Sequence, residues 1–407
     1  MTQRVVIVGA GAGGDATAIG LRKRDFKGQI VLIGEETNPP YERPYLSKQF
    51  LRGEISDERV FLRPEGEYDR QDIELKLGAR VVTAEVPGVL ELESGESVPY
   101  DTLVLATGST PRWPPEVPHL ENTFALRSLE DGRRIREAIR NAGRILLLGA
   151  GFIGAEVAAS ARGMEKDVLM VEVAEVPLER ALGRDMGEKY AAIHRSHGVD
   201  LRLGVGVDEW IEEDGGLVAV RLSDGSRETV DLAVIGIGVS PNLHLAEQLG
   251  LKTGPQGVEV DACLKAAPEI FAIGDIAAHY HPVFKRLVRV EHWQVGQRHG
   301  TAVAAAITGD SAPYSELPWF WSDQYDLNLQ YVGNTHEFDH TVTRGDPDTN
   351  VFSIFYLRDG VIDAVLSVND GKTGRFSRPL ISNRTKVRPE VLADPHTDMR
   401  ALGRTDT

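Results

Sequence analysis

The strongest constraint on this chain is an internal duplication. The segment RVVIVGAGAGGDATAIGLRKR opens at Arg4, and RILLLGAGFIGAEVAASARG repeats its plan from Arg144. Each copy sets an apolar run before G-x-G-x-x-G, formed by Gly9, Gly11 and Gly14 in the first and by Gly149, Gly151 and Gly154 in the second. A helical stretch follows, then a second apolar run, QIVLIGEE or DVLMVEV, that leads to an acid, Glu35 or Glu172. The order has a physical reason. The first glycine permits a tight turn, the second lets backbone approach a pyrophosphate, and the third lets helix pack closely on strand. The helix N-terminus offers N–H donors and partial positive charge to phosphate, and the closing acid accepts hydrogen bonds from a ribose. One glycine fingerprint is weak. Two copies with every part in order predict an α/β chain with two Rossmann-like units, each holding a dinucleotide.

Length and composition bound the rest. A chain of 407 residues suits two or three domains, and 42% hydrophobic with 26% charged residues is ordinary for a soluble protein. The formal net charge of −16 repels nucleic acid at long range, so no nucleic-acid partner is expected. The opening residues MTQRVVIV run straight into the glycine motif, which leaves no room for a secretory leader. No apolar stretch is long enough to span a membrane, so a cytoplasmic protein is the expectation. Cys263 is the only cysteine, which excludes an intramolecular disulfide and makes thiol-mediated catalysis a poor reading.

Two more strands end in glycine. YDTLVLATGSTPR carries Leu103–Ala106 into Gly108, and EIFAIGDIA ends at Gly274 and Asp275. An aspartate there lies at the carboxyl edge of a sheet, where open α/β folds bind ligands, and it is also placed to cap a helix over the following IAAHY. The histidines of HYH (279–281), His292 and His299 read as surface residues, and no metal site is expected. DLAVIGIGVSPN, at 231–242, reads as the last strand of an α/β unit followed by a turn back toward the first domain.

Taken together, GAGAGG, YERPYLSK, LVLATGSTPR, FALRSLEDGRRI, GAGFIGAEVA, FAIGDIA, VEHWQVGQRHG and PWFWSDQYDLNLQ resemble the FAD-dependent NADH:ferredoxin reductases of bacterial oxygenase systems. The resemblance runs in order from about residue 3 to about residue 400, and YERPYLSK and FWSDQYD are its most specific parts. It implies a glutathione-reductase-like flavoprotein. Residues 1–112 and 240–316 would form a discontinuous FAD domain, 113–239 an inserted NADH domain, and 317–407 a C-terminal α+β domain over the flavin. The implied FAD set is Gly9, Gly11, Gly14, Glu35, Arg43, Lys48, Val82, Arg127, Asp275 and Trp293. The implied NADH set is Gly149, Gly151, Ile153, Gly154, Glu156, Glu172 and Gly238. Lys48, Glu156 and Trp321 are the implied catalytic residues. Glu156, in the first turn of the second nucleotide helix, is expected to approach Lys48 near the nicotinamide, and Trp321 to mark the side where electrons leave. The partner would be a small [2Fe-2S] ferredoxin that feeds an oxygenase.

The residues themselves leave alternatives open. The charges of YERPYLSK suit a solvated loop as well as a cofactor clamp, and WFW (319–321) suits a buried strand. Prolines 39, 40 and 44 stiffen the loop in either case. Glu172 disfavours NADPH by repelling its extra phosphate, although Arg180 and Arg184 lie downstream. Rubredoxin, a quinone or oxygen are other acceptors, and a slow NADH sensor resembling apoptosis-inducing factor is a rival of another class. Asp15 stands where the family usually has a small apolar residue, and its carboxylate could compete with a pyrophosphate. Tyr45 and WQVGQRHG are further departures. Arg43, Lys285, Arg286, Arg298, Lys372 and Arg375 are candidates for a basic docking surface, but nothing in their spacing places them together.

Overall fold

The structure is a computed structural model that describes residues 3–85, 88–335 and 337–403. Its first sheet has six strands, in the order Lys265–Ala267, Ile270–Ala272, Thr102–Leu105, Arg4–Val8, Gln29–Ile33 and Glu74–Lys76. Residues from both ends of the predicted discontinuous segment therefore share one sheet. The strands around Arg4–Val8 pair in parallel, and Val5, Val6 and Ile7 are fully buried, which is why the sequence shows an unbroken apolar run there.

The second sheet repeats the first. Val199–Leu203, Asp167–Glu172, Arg144–Leu148, Leu232–Ile235 and Thr123–Ala125 lie side by side in parallel. Each of these sheets, the first parallel except for its antiparallel edge strand Lys265–Ala267, is accompanied by a three-stranded antiparallel meander, Val81–Glu85 with its neighbours for the first and Val207–Glu213 with its neighbours for the second. The chain leaves the first unit through Ser109–Pro111 and returns through Val239–Pro241, and these two strands pair with each other. That ribbon is the crossing expected after DLAVIGIG.

The C-terminal sheet is antiparallel, in the order Trp319–Gln324, Leu327–Gly333, Val361–Val368, Val351–Arg358 and His340–Asp346. The helix Gly371–Ser382 covers one side of it, with Leu380 and Ile381 in the core beneath. The other side packs on the second unit: Leu327, Leu329, Phe352 and Leu366 meet Leu182, Met186 and Tyr190 of its helices. WFW thus lies in a strand, with all three rings half-buried.

Two expectations fail here. Ala277–His281 is a strand, so Asp275 caps no helix; the alternation of AAHYH favours a pleated segment over a helix of five residues. Alternation also turns His279 and His281 inward while Tyr280 faces solvent. With His299 they form a buried cluster around Tyr314, and burial holds their protonation below the usual histidine range, His279 down to about 3. They are core histidines. Among the described residues no group of three His, Cys, Asp or Glu side chains is arranged to hold a metal ion.

Candidate functional site

The first glycine turn has the geometry of a phosphate cradle. Gly9 has φ +116°, and a Cβ on it would lie 2.0 Å from the Ala106 carbonyl oxygen. A Cβ on Gly14 would lie 2.0 Å from the Gly9 carbonyl oxygen, so helix and turn touch there. A Cβ on Gly11 would meet nothing within 4 Å. Gly11 therefore borders open space at the N-terminus of the helix Ala12–Lys23, where a pyrophosphate can approach the free N–H groups. Gly149, Gly151 and Gly154 repeat the arrangement before the helix Phe152–Gly163.

Asp15 does not face that space. Its carboxylate is 1% exposed and takes a bidentate pair from Arg63, at 2.9 and 2.7 Å, and a hydrogen bond from the Tyr68 hydroxyl at 2.8 Å. The pair holds the Arg63 guanidinium's affinity for its proton above the ordinary value, and burial beside Asp15 raises that of Tyr68. Both oxygens of Asp15 are thus committed, and the feared competition with a phosphate gives way to an internal counter-ion.

Of the other predicted first-site residues, Glu35 and Asp275 follow the carboxyl ends of strands of the first sheet. Glu35 follows Gln29–Ile33 and is exposed, with Arg80 3.8 Å away. Val82 is half-buried in the meander, and its carbonyl accepts from Gln248. Asp275 sits in the turn Gly274–Ile276 and accepts a hydrogen bond from Arg127 at 3.1 Å. The His299 Nδ1 accepts the N–H of Gly274, which steadies that turn. Trp293 opens the helix Trp293–Ile307, which crosses Ala12–Lys23 through Gly13, Gly20, Gly296, Gly300 and Ala304. His292 Nδ1, Trp293 Nε1 and Gln294 Oε1 are buried polar atoms without a protein partner, three in succession at the start of this helix. An isoalloxazine rich in donors and acceptors fits such a place.

YERPYLSK is not a solvated loop. Tyr41, Leu46, Ser47 and Lys48 are at most 4% exposed. Tyr41, Leu46 and Phe50 join the core of the second unit, against Phe124, Leu126 and Leu129. Arg43 donates to Glu36 (2.5 Å), to the Tyr41 hydroxyl (2.8 Å) and to the Arg127 carbonyl (2.6 Å). The stretch is a bridge between the two units, and its charges are spent on fixing it.

Its last lysine meets Glu156. Lys48 Nζ lies 2.7 Å from Glu156 Oε2, and each side chain is 5% exposed. Ser47 also donates to Oε2, and Ser322 of the C-terminal sheet donates to Oε1 at 2.7 Å. The helix begins at Phe152, which puts Glu156 just past its first turn, one turn below Phe152 on the same face. The first-turn placement is corrected accordingly. Resemblance points to Lys48 and Glu156, whereas Ser47, Ser322, Arg63 and Tyr68 are found only in the structure, because a side chain's hydrogen-bond partner across the fold leaves no periodic signal.

The second site is more open. Glu172 ends its strand with its carboxylate accepting the N–H of Ala150 (2.7 Å) and of Ala174 (3.0 Å), which pins it beside the glycine turn. Ile153, Ile237 and Val173 are exposed apolar residues around that turn, Val173 at 73%. Gly238 follows Ile237 with φ +101° and open space beside it. Arg184 pairs with Glu188 of its own helix. Trp321, on the far side, stacks on Trp319 with centroids 5.3 Å apart and meets Trp293 edge to face at 6.4 Å.

Comparison with known proteins agrees with this geometry. Residues 3–300 match the pyridine nucleotide-disulphide oxidoreductase family, and residues 319–403 match a reductase C-terminal domain. The ferredoxin–NAD(+) reductase component of the anthranilate 1,2-dioxygenase system of Burkholderia cepacia is 39% identical, over 98% of both chains. The chain belongs to the ferredoxin reductases of oxygenase systems. Putidaredoxin reductase of Pseudomonas putida is 35% identical to this reductase, over 98% of this chain and 96% of that one. The crystal structure of a covalent putidaredoxin reductase–putidaredoxin complex superposes with a TM-score of 0.95, at 34% identity and 98% coverage of each chain. The ferredoxin reductase for the CYP199A2 system from Rhodopseudomonas palustris gives 0.95 at 36% identity, covering 99% of this chain and 100% of that one. The family's cofactors are FAD and NAD(H), and the two glycine cradles fit two dinucleotides. No helix among the described residues is long and apolar enough to cross a membrane.

Proposed function

We propose that this protein passes electrons from NADH through FAD to a small [2Fe-2S] ferredoxin serving an oxygenase. One observation carries the reading: two glycine cradles lie in two parallel sheets, and the buried Lys48–Glu156 pair joins them at the interface. Bound FAD supplies the chemistry that takes a hydride's two electrons together and releases them singly. Residues 1–112 with 240–316 hold it, 113–239 hold NADH, and 317–407 close the site. Gly9, Gly11 and Gly14 receive its pyrophosphate, and Glu35 receives a ribose. Arg127 holds Asp275 ready for the ribityl hydroxyls, and Trp293 borders the ring. Arg43 keeps the bridging loop in place, and Lys48, neutralised by Glu156 at 2.7 Å, would offer its charge to the reduced ring when that pair reorients. The lone Cys263 suits a reducing cytoplasm.

Glu172 selects the cofactor. Its pinned carboxylate can accept from both hydroxyls of an adenosine ribose, and it repels a 2′-phosphate at the same place. We expect kcat/KM for NADH to exceed that for NADPH by about tenfold or more. A ratio near one would count against this assignment.

On the far side a groove of about 1100 Å³ opens next to Trp319, with Lys372, Arg375 and Arg378 on its rim. Arg378 lies over the Trp319 ring, 5.7 Å from its centroid. Three cations thus gather beside the Trp319–Trp321 stack even though the whole chain carries −16. Lys285 and Arg286 lie elsewhere: Lys285 is in the turn that joins two strands of another sheet, and Arg286 bonds to Asn334. Arg298 pairs with Glu316. The three-cation rim suits an acidic ferredoxin. Stopped-flow mixing tests the whole reading: NADH should bleach the bound flavin rapidly, and the reduced protein should then pass electrons to a [2Fe-2S] ferredoxin. A long-lived reduced complex that no ferredoxin reoxidises would favour the sensor. In the same assay Trp321→Ala should slow the ferredoxin step by about tenfold, the scale of losing an anchoring tryptophan, and leave flavin reduction within twofold. Equal effects on both steps would sink the exit-side role.

A further inference from the structure

We infer that Ser322 is a positioning residue for the NADH side of the site, contributed by the C-terminal sheet. The inference rests on the reading of Glu156 as the acid beside the nicotinamide. Ser322 is 1% exposed, and its hydroxyl donates to Glu156 Oε1 at 2.7 Å while accepting from Gln324 Nε2 at 3.1 Å. Lys48 and Ser47 both bind the other oxygen, Oε2. Without Ser322 nothing among these contacts fixes the carboxylate's rotation, because two donors on one oxygen leave the second free to swing. With it, each oxygen is held from a different part of the fold.

The strand that carries Ser322 has two working faces. Phe320 and Ser322 point one way, Phe320 meeting Phe152 edge to face at 4.9 Å and Ser322 meeting Glu156. Phe152 and Glu156 lie one turn apart on the second nucleotide helix, so strand and helix match residue for residue. Trp319 and Trp321 point the other way, stacked on each other, with Trp321 edge to face against Trp293. A single strand therefore orients the acid on the NADH side with one face and presents the tryptophans on the other. The C-terminal domain is part of the nicotinamide site as well as a cover over it.

The test compares Ser322→Ala and Ser322→Thr with the wild-type holoenzyme, by rapid mixing with NADH and, separately, by mixing chemically reduced enzyme with ferredoxin. Losing this hydrogen bond to a charged group should lower the limiting rate of flavin reduction about tenfold, with KM for NADH and FAD content little changed and Tm lowered by only a few degrees. Ser322→Thr keeps the hydroxyl and should recover most of the rate. The ferredoxin step should stay within twofold in both variants although Trp321 is the neighbouring residue. Normal flavin reduction in Ser322→Ala, failure of the threonine to rescue, or parallel loss of both steps with FAD and Tm would each overturn the inference. If the wild type itself is not reduced by NADH, the functional reading falls instead.

Discussion

Arg63→Ala is expected to yield protein that melts about 5–10 °C lower and retains less FAD after gel filtration. The cause is a stranded charge. Asp15 is 1% exposed, and Arg63 supplies both of the guanidinium contacts that make its ionised form tolerable there. Removing one partner of a buried pair costs about 3–5 kcal/mol, because the remaining ion stays buried without compensation. The cost belongs at the low end of that range, since Arg63 keeps 29% exposure and water can partly replace it. The effect should reach FAD because Asp15 sits on the helix whose N-terminus forms the cradle. An uncompensated carboxylate on that helix opposes a pyrophosphate, and any shift of the helix moves Gly11. Asp15→Ala with Arg63→Ala removes both charges together and should recover most of the lost Tm and most of the FAD. Arg63→Ala protein with wild-type Tm and full FAD occupancy would show that the pair is inconsequential.

That pair marks the limit of what could be read from the chain alone. The two cradles were legible because their signal is local: turn glycines, apolar runs and an acid at fixed spacing within about 30 residues. Lys48 and Glu156 were legible only through resemblance, and they do meet. Arg63 and Asp15 are 48 positions apart with no shared pattern, so a burial that depends on their pairing left no trace. Ser322 stands inside the distinctive FWSDQYD, yet a serine among aromatic residues carries no signal of the carboxylate it meets across the fold. The buried histidines were misread for a different reason. HYH alternates, as a strand should, and inward alternation places His279 and His281 in the core, but an aspartate just before IAAHY is also a helix-cap signal that points the other way. For YERPYLSK the solvated-loop alternative fails, although charged residues are usually solvated. Here the aromatic and leucine positions between the charges bury the loop, and the charges follow them in.

Glu156→Ala should slow reduction of the bound flavin by NADH by about 10–100-fold, the range for losing hydrogen bonds to a charged group at a reacting centre. It should also destabilise the protein. Lys48 is 5% exposed, and without Glu156 its ammonium keeps only the Pro44 carbonyl, at 3.1 Å. A buried cation left so poorly paired costs about 3–5 kcal/mol. A single variant therefore cannot separate a role in the chemistry from a role in holding the units together. The double variant Lys48→Met, Glu156→Ala can. Methionine fills nearly the same volume as the lysine stem and carries no charge, so Tm should recover most of the loss, the unpaired Ser47 and Ser322 hydroxyls accounting for the remainder. If the pair acts on the NADH side, flavin reduction should stay slow in this refitted protein, because neither the cation near the ring nor the acid near the nicotinamide is present. Glu156→Gln sharpens the distinction further: its one amide oxygen can accept from the Lys48 side or from Ser322 but not from both, and the negative charge is gone, so it should fall between wild type and alanine in rate. A double variant that regains its reduction rate together with its Tm would show that Lys48 and Glu156 serve the architecture alone, with the electron path set entirely by how the two cradles face each other.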